Sequence, residues 1–180
     1  IGRNGMQYTR ESAIERLLKN YGPYYNIHMI EDDQTPITAR CDFFEHSGQY
    51  VISKKAELWS AENEEFLYLL NLTLPLFEQW RDYIHEDGMK RIHVGPGHMA
   101  SYITAVFVCD TCDEDALKAL KKCRIYKSFH FSLHGWMNFH AALVRVADCR
   151  IDANCSGHHV AKILKKVLYS QTRKKGRYQQ

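Results

Sequence analysis

No run of about 18 consecutive apolar residues occurs anywhere in the 180 residues, so no membrane-spanning helix is expected. The opening IGRNGMQYTRE lacks the charged-then-apolar order of a secretion signal. The chain starts on Ile1, and Met6 is the expected native start. Without a signal, the six cysteines are expected as reduced thiols in a cytoplasm rather than as a disulfide framework. Neither GxGxxG nor GxxxxGK[ST] is present; Gly95-Pro96-Gly97 is too short and too proline-bound to cradle phosphate and reads as a turn. Nucleophile elbow, kinase set and HExxH are missing as well. So are RNP aromatics, helix-turn-helix and zinc fingers, and nucleic acid is not an expected partner.

What is present is ordinary for one folded domain. The hydrophobic share is 45% and the net charge is +3. That charge is misleading. The last eleven residues, SQTRKKGRYQQ, hold Arg173, Lys174, Lys175 and Arg177 and no acid; setting those four charges aside takes the net charge from +3 to −1. Residues 1–169 read as a single globular domain and residues 170–180 as a basic, disordered tail. Four charges on such a tail give only weak, salt-dependent attraction to nucleic acid or an anionic surface.

Taken in order, Thr9 caps a helix whose Ile14, Leu17, Leu18 and Tyr21 form one stripe, stopped by Gly22-Pro23. A strand at 24–30 follows, and then strands at 37–46, 49–59 and 65–72 are joined by short turns into an antiparallel meander. Thr73 caps a second helix with Leu76, Phe77, Trp80 and Ile84 inward, ended by Asp87-Gly88. Met99–Val108 is apolar on both faces, which suits a central strand or a dimer seam. Thr111 and Glu114 form a capping box for a third helix reaching Cys123. Residues 148–155 read as a loop, and Ser156 caps a last helix with Val160, Ile163, Leu164, Val167 and Leu168 inward. The expected fold is therefore α+β: a predominantly antiparallel sheet of about six to seven strands with about four helices packed on it.

The most informative stretch is Arg124–Val146. From Ile125 to Leu133 apolar and polar residues alternate, a strand pattern, and a loop at 135–138 turns it into a hairpin. The polar face carries Tyr126, Ser128, His130, Ser132 and His134, with Trp136 adjacent. Such a mixture hydrogen-bonds and stacks on a ligand. His130 and His134 would stand roughly 13 Å apart on a strand, too far for one zinc ion. His134 and His140 meet across the hairpin only if the loop has the right parity. No metal and no cofactor is assigned.

Cys109-Asp110-Thr111-Cys112 lies where a strand passes into a helix, the setting of thiol redox motifs. Asp110, Asp113, Glu114 and Asp115 oppose thiolate formation there. A structural zinc site drawing on Cys149, Cys155, His158 or His159 lacks a usual spacing.

KKCRIYKSFHFSLHGW at Lys121–Trp136, ELW at Glu57–Trp59 and SYITAVFVCD at Ser101–Asp110 resemble an uncharacterised bacterial domain family with no assigned function. The resemblance covers Tyr8 to Leu168 and implies a soluble prokaryotic protein, with no catalytic residue to carry over. The leading expectation is a non-catalytic, cytoplasmic ligand- or partner-binding domain using the polar face of the 124–147 hairpin, its partner an unidentified small molecule or protein and not a membrane. The alternatives are a thiol-redox or metal-dependent enzyme on Cys109/Cys112 or His134/His140, and a homo-oligomeric structural protein, with a homodimer as the candidate assembly.

Overall fold

Thr9 begins the first helix by a reciprocal cap: its hydroxyl accepts the Ser12 amide at 3.0 Å, and the Ser12 hydroxyl accepts the Thr9 amide at 2.9 Å. The computed structural model describes residues 6–47 and 61–170, with backbone alone at 45–47 and 61–62. In it this helix, α1 (Arg10–Tyr21), buries Ile14, Leu17 and Tyr21 and ends at Gly22, as the spacing predicts. Three antiparallel strands follow, β1 (Asn26–Met29), β2 (Ile37–Ser47) and β3 (Ala61–Leu72). The strand expected at 49–59 lies outside the described residues.

Helix α2 (Phe77–Arg91) then carries the chain back so that β4 (His98–Cys109) runs parallel to β3. Helix α3 (Glu114–Lys122) and the short β5 (Tyr126–Ser128) lead into β6 (Trp136–Arg145), parallel to β4. Strand β7 (Arg150–Ala153) pairs with β6, and a single 3₁₀ turn, Cys155–Gly157, opens α4 (His158–Tyr169). The seven-stranded sheet runs β1-β2-β3-β4-β6-β5, with β7 sharing the β6 edge with β5.

The class is α+β with four helices among the described residues, but the sheet is mixed rather than predominantly antiparallel. Neighbouring interior strands β3, β4 and β6 are parallel because β4 and β6 are each reached through a helical crossover, α2 and α3. The doubly apolar run at 99–108 is the pattern of a strand covered on both faces, as β4 is. With β3 and β6 on either side, β4 has no edge left for a dimer seam.

Helices α1 and α4 cover one face, over Leu67, Leu69, Val106, Val108, Ala142 and Val144. Helices α2 and α3 cover the other, over Phe66, Tyr68, Ile103, Phe107, Phe139 and Leu143. Gly88 does not stop α2. It lies inside the helix, where a Cβ would come within 2.8 Å of the Ile103 side chain, so glycine here permits close helix–sheet approach. Leu76, expected inward, is the exposed cap of α2, and Thr73 lies outside the helix. The cap of α3 is Asp113, which accepts the Ala116 amide at 3.1 Å, rather than Thr111. Ile163 is exposed, and Ser156 sits in the 3₁₀ turn donating to the Phe139 carbonyl at 2.8 Å. Residues 150–153 are a strand instead of part of a loop. No described helix is long and apolar enough to cross a membrane.

Candidate functional site

The alternation over Ile125–Leu133 survives for only three residues of strand. β5 stops at Ser128, the Phe129 amide closes the hairpin on the Gly135 carbonyl at 2.9 Å, and His130, Phe131 and Ser132 take φ of 49°, 53° and 66°. Three successive non-glycine residues in left-handed backbone are costly and uncommon. The loop is thus 129–135 rather than 135–138, and Trp136 already stands in β6 opposite Ser128. Folded into this turn, the His130 and His134 rings stack at 4.8 Å instead of standing a strand's length apart. His134 and His140 are not brought together by ring contact: His134 stacks on His130, whereas His140 meets Tyr102 and His159. No three metal-ligating side chains converge among the described residues.

Register defines a polar area on the α1/α4 face. Directly paired residues share a face, and successive rows across β4 and β6 read Val106–Ala142, Thr104–His140, Tyr102–Asn138 and Ala100–Trp136. Asn138 also pairs with Tyr126, Trp136 with Ser128, and Tyr102 with Glu65. The apolar core under α1 and α4 includes Val106 and Ala142 but neither Tyr102 nor Trp136. The face therefore changes from dry to polar over two rows, ending in an area bearing Tyr102, Asn138, Trp136, Tyr126 and Ser128. Glu65 and Tyr25 flank it on one side; His140 and His159 flank it on the other.

The His140 ring stacks on Tyr102 at 5.1 Å and meets the His159 ring edge-on at 4.6 Å. Burial, reinforced by His159, lowers the His140 imidazole to about 4, and burial lowers His159 too. Burial raises the Glu65 carboxyl, which accepts the Tyr25 hydroxyl at 2.8 Å. Two atoms on this face have no hydrogen-bond partner among the described residues although they are buried: His140 Nδ1 and Thr104 Oγ1. An uncharged imidazole, a hydroxyl, an amide and three aromatic side chains can hydrogen-bond and stack on a ligand.

Of the residues expected from sequence, Tyr126, Ser128 and Trp136 lie on this face, while His130, Ser132 and His134 belong to the left-handed loop. Tyr102, Asn138, Glu65 and His159 join the area from other elements. Their only sequence signal was the polar intrusion of Tyr102 and Thr104 into the apolar run 99–108.

The opposite face holds a second polar group, which joins His93 and His98, histidines near strand ends, to Glu64 and Ser101. Glu64 accepts the His93 amide at 3.0 Å, the His93 ring at 3.0 Å and the Ser101 hydroxyl at 2.8 Å. Ser101 Oγ lies 2.7 Å from His98 Nε2, and His98 Nδ1 donates to the His134 carbonyl at 2.5 Å. Ser101 is fully buried and bonds the carboxylate directly, an arrangement that ties loop 129–135 to the sheet.

The cysteine pair does not form an activated thiol. Burial, with Cys112 nearby, pushes Cys109 up to about 12; burial and Asp113 raise Cys112. Cys112 precedes the α3 cap rather than occupying its first turn, and its thiol donates to the Asp113 carbonyl.

No curated protein and no solved structure matches the chain. The family model described as Domain of unknown function (DUF8052) matches residues 9–166. The match begins on the cap of α1 and reaches into α4, taking in every described strand, and the chain belongs to the DUF8052 family.

Proposed function

We propose that this is a non-catalytic ligand-binding domain whose site is the polar area of the α1/α4 face, with Tyr102, Trp136 and Tyr126 as aromatic contacts and Asn138, Thr104 and His140 as hydrogen-bonding groups. The observation that carries the reading is the pair of buried, partnerless atoms, His140 Nδ1 and Thr104 Oγ1, at the margin of that area. A buried polar group without a partner costs about 1–3 kcal/mol. Apolar residues of the same shape would remove that cost, and a ligand that needs the groups is the reason to keep them. The ligand is expected to be small, with an aromatic or planar portion and both donors and acceptors. The six free cysteines support a reducing, cytoplasmic setting for this activity.

The test is a pair of near-isosteric substitutions, His140→Phe and Thr104→Val, with native mass spectrometry of protein purified from cells and a thermal-shift screen of planar polar metabolites. Both variants should hold or raise the Tm of the free protein while losing the bound molecule and its thermal shift. Variants that keep the ligand would refute the site. So would a wild-type protein that binds nothing in either assay.

A further inference from the structure

The left-handed loop has a feature that ligand binding does not use. Phe131 is 96% exposed and Leu133 69%, two large apolar side chains side by side at the end of a hairpin. Nothing about the local sequence demands this. SFHFSLH would continue a strand, which would turn both side chains to one face, and instead the chain spends three left-handed residues to turn them outward.

The base of the loop is fixed firmly enough to hold that turn. The Phe129 and His134 amides bond Gly135 and Phe129 carbonyls, and the Leu133 amide bonds the His130 carbonyl at 3.0 Å. The His134 carbonyl is anchored through His98 and Ser101 to Glu64. At Gly135 (φ 81°) a Cβ would lie 2.3 Å from the Met99 carbonyl oxygen, so the loop is seated directly on β4. The result is a preorganised tip rather than a slack connection.

Behind the tip the side chains change in order. Trp136 and Ser128 form the first pair of the hairpin, and Tyr126, 60% exposed, the next on the same face. Lys127 lies between them, and Arg124, Lys122 and Lys121 follow at and beyond the strand's other end, all exposed. No Asp or Glu occurs between Asp115 and Asp148, and of these four cations only Lys121 has an acidic partner among the described residues, Asp152 at 3.7 Å. Apolar tip, aromatic collar and cations set further back is the depth profile of a bilayer surface: acyl region, interface, anionic headgroups. A protein partner would need a concave mate for this tip, whereas a fluid bilayer closes around any convex one.

We propose that loop 129–135 is a membrane-surface wedge, in which Phe131 and Leu133 enter the headgroup–acyl boundary of an anionic lipid bilayer and Lys127, Arg124 and Lys122 hold its headgroups. The protein sits on the membrane without spanning it.

The test is co-sedimentation of the full chain with vesicles of phosphatidylcholine alone and of phosphatidylcholine mixed with phosphatidylserine, at low and high salt. Wild type should pellet with the anionic vesicles and release in high salt. Phe131→Ser with Leu133→Ser should weaken partitioning by more than about tenfold, and Lys127→Gln with Arg124→Gln by about fivefold per charge. Both variants change exposed side chains, so each should keep the wild-type Tm. Any of three results overturns the proposal: no pelleting with anionic vesicles, equal pelleting with neutral ones, or full binding by the Phe131/Leu133 variant. Self-association that vanishes in that variant, without vesicle binding, would assign the tip to a second copy instead. Ligand loss in His140→Phe is read independently, since that residue lies off the loop.

Discussion

Two buried histidines on the same sheet behave as opposites. His98 on β4 has both ring nitrogens bonded, one to a carbonyl and one to Ser101, and its network ends on a carboxylate with three donors. His140 on β6 is 3% exposed, and its Nδ1 has no hydrogen-bond partner among the described residues. The first cluster is complete and fastens two loops, 92–97 and 129–135, to the strand starts. The second is incomplete and borders an area of aromatic and polar side chains. A closed polar network specifies structure; an open one at comparable burial is stability given up for something outside the chain.

The largest effect expected from this contrast is at Glu64, which is 5% exposed. Glu64→Ala leaves the Ser101 hydroxyl, the His93 amide and the His93 ring without their acceptor. Removing one member of a buried charged network costs about 3–5 kcal/mol, and urea unfolding should show a loss in that range. A cost near that of an exposed substitution would mean that the cluster is not the anchor described here.

Next in size is a pH effect at His140. Its folded-state imidazole titrates near 4, below the unfolded value, because burial disfavours the charged form. The unfolded chain therefore takes up a proton that the folded chain refuses. Stability from this group is complete above the unfolded pKa of about 6.5 and is lost as pH falls toward 4, on the order of 3 kcal/mol in all. Glu65, with its carboxyl raised by burial, acts in the opposite sense, contributing at low pH and losing that contribution as pH rises. The difference between wild type and His140→Phe isolates the histidine. Urea midpoints at several pH values should diverge below neutrality, the wild type falling faster, and parallel curves would remove His140 from the account.

Much of the fold was legible in sequence because local signals carried it. The Thr9 cap, the Ile14–Leu17–Tyr21 stripe and the apolar run over β4 each report their own burial. What failed depended on partners far along the chain. Alternation across Phe129–Leu133 has the strand period, but no neighbouring strand takes those residues up; β6 turns back at Trp136. Parallel pairing of β3, β4 and β6 leaves a trace in the doubly apolar β4, yet direction comes from the helical crossovers. Strand β7 is four residues with one buried, Ile151, so it lacks a pattern of its own. Of the six residues expected at the site, Tyr126, Ser128 and Trp136 lie on one face of β5 and β6. The remainder of that area is assembled by register from β3, β4 and α4, and no single stretch of sequence displays it.

The smallest effect discriminates best. Substituting each histidine by phenylalanine changes ring chemistry with little change in volume, so the two variants differ mainly in the hydrogen bonds they break. His98→Phe strips the His134 carbonyl of its donor and unbalances the Ser101–Glu64 contact, which should cost about 1–3 kcal/mol at neutral pH. It should also loosen loop 129–135, seen as faster amide exchange at Phe129 and His134. His140→Phe breaks no hydrogen bond among the described residues and removes a nitrogen that has no partner among them, while the contacts with Tyr102 and His159 remain available to an aromatic ring. Its stability should be unchanged or higher by up to about 1 kcal/mol. Opposite signs for the same substitution on neighbouring strands would locate function at His140 and architecture at His98. Equal losses at both would mean that His140 is an ordinary core residue, and the polar face would lose its claim to be a site.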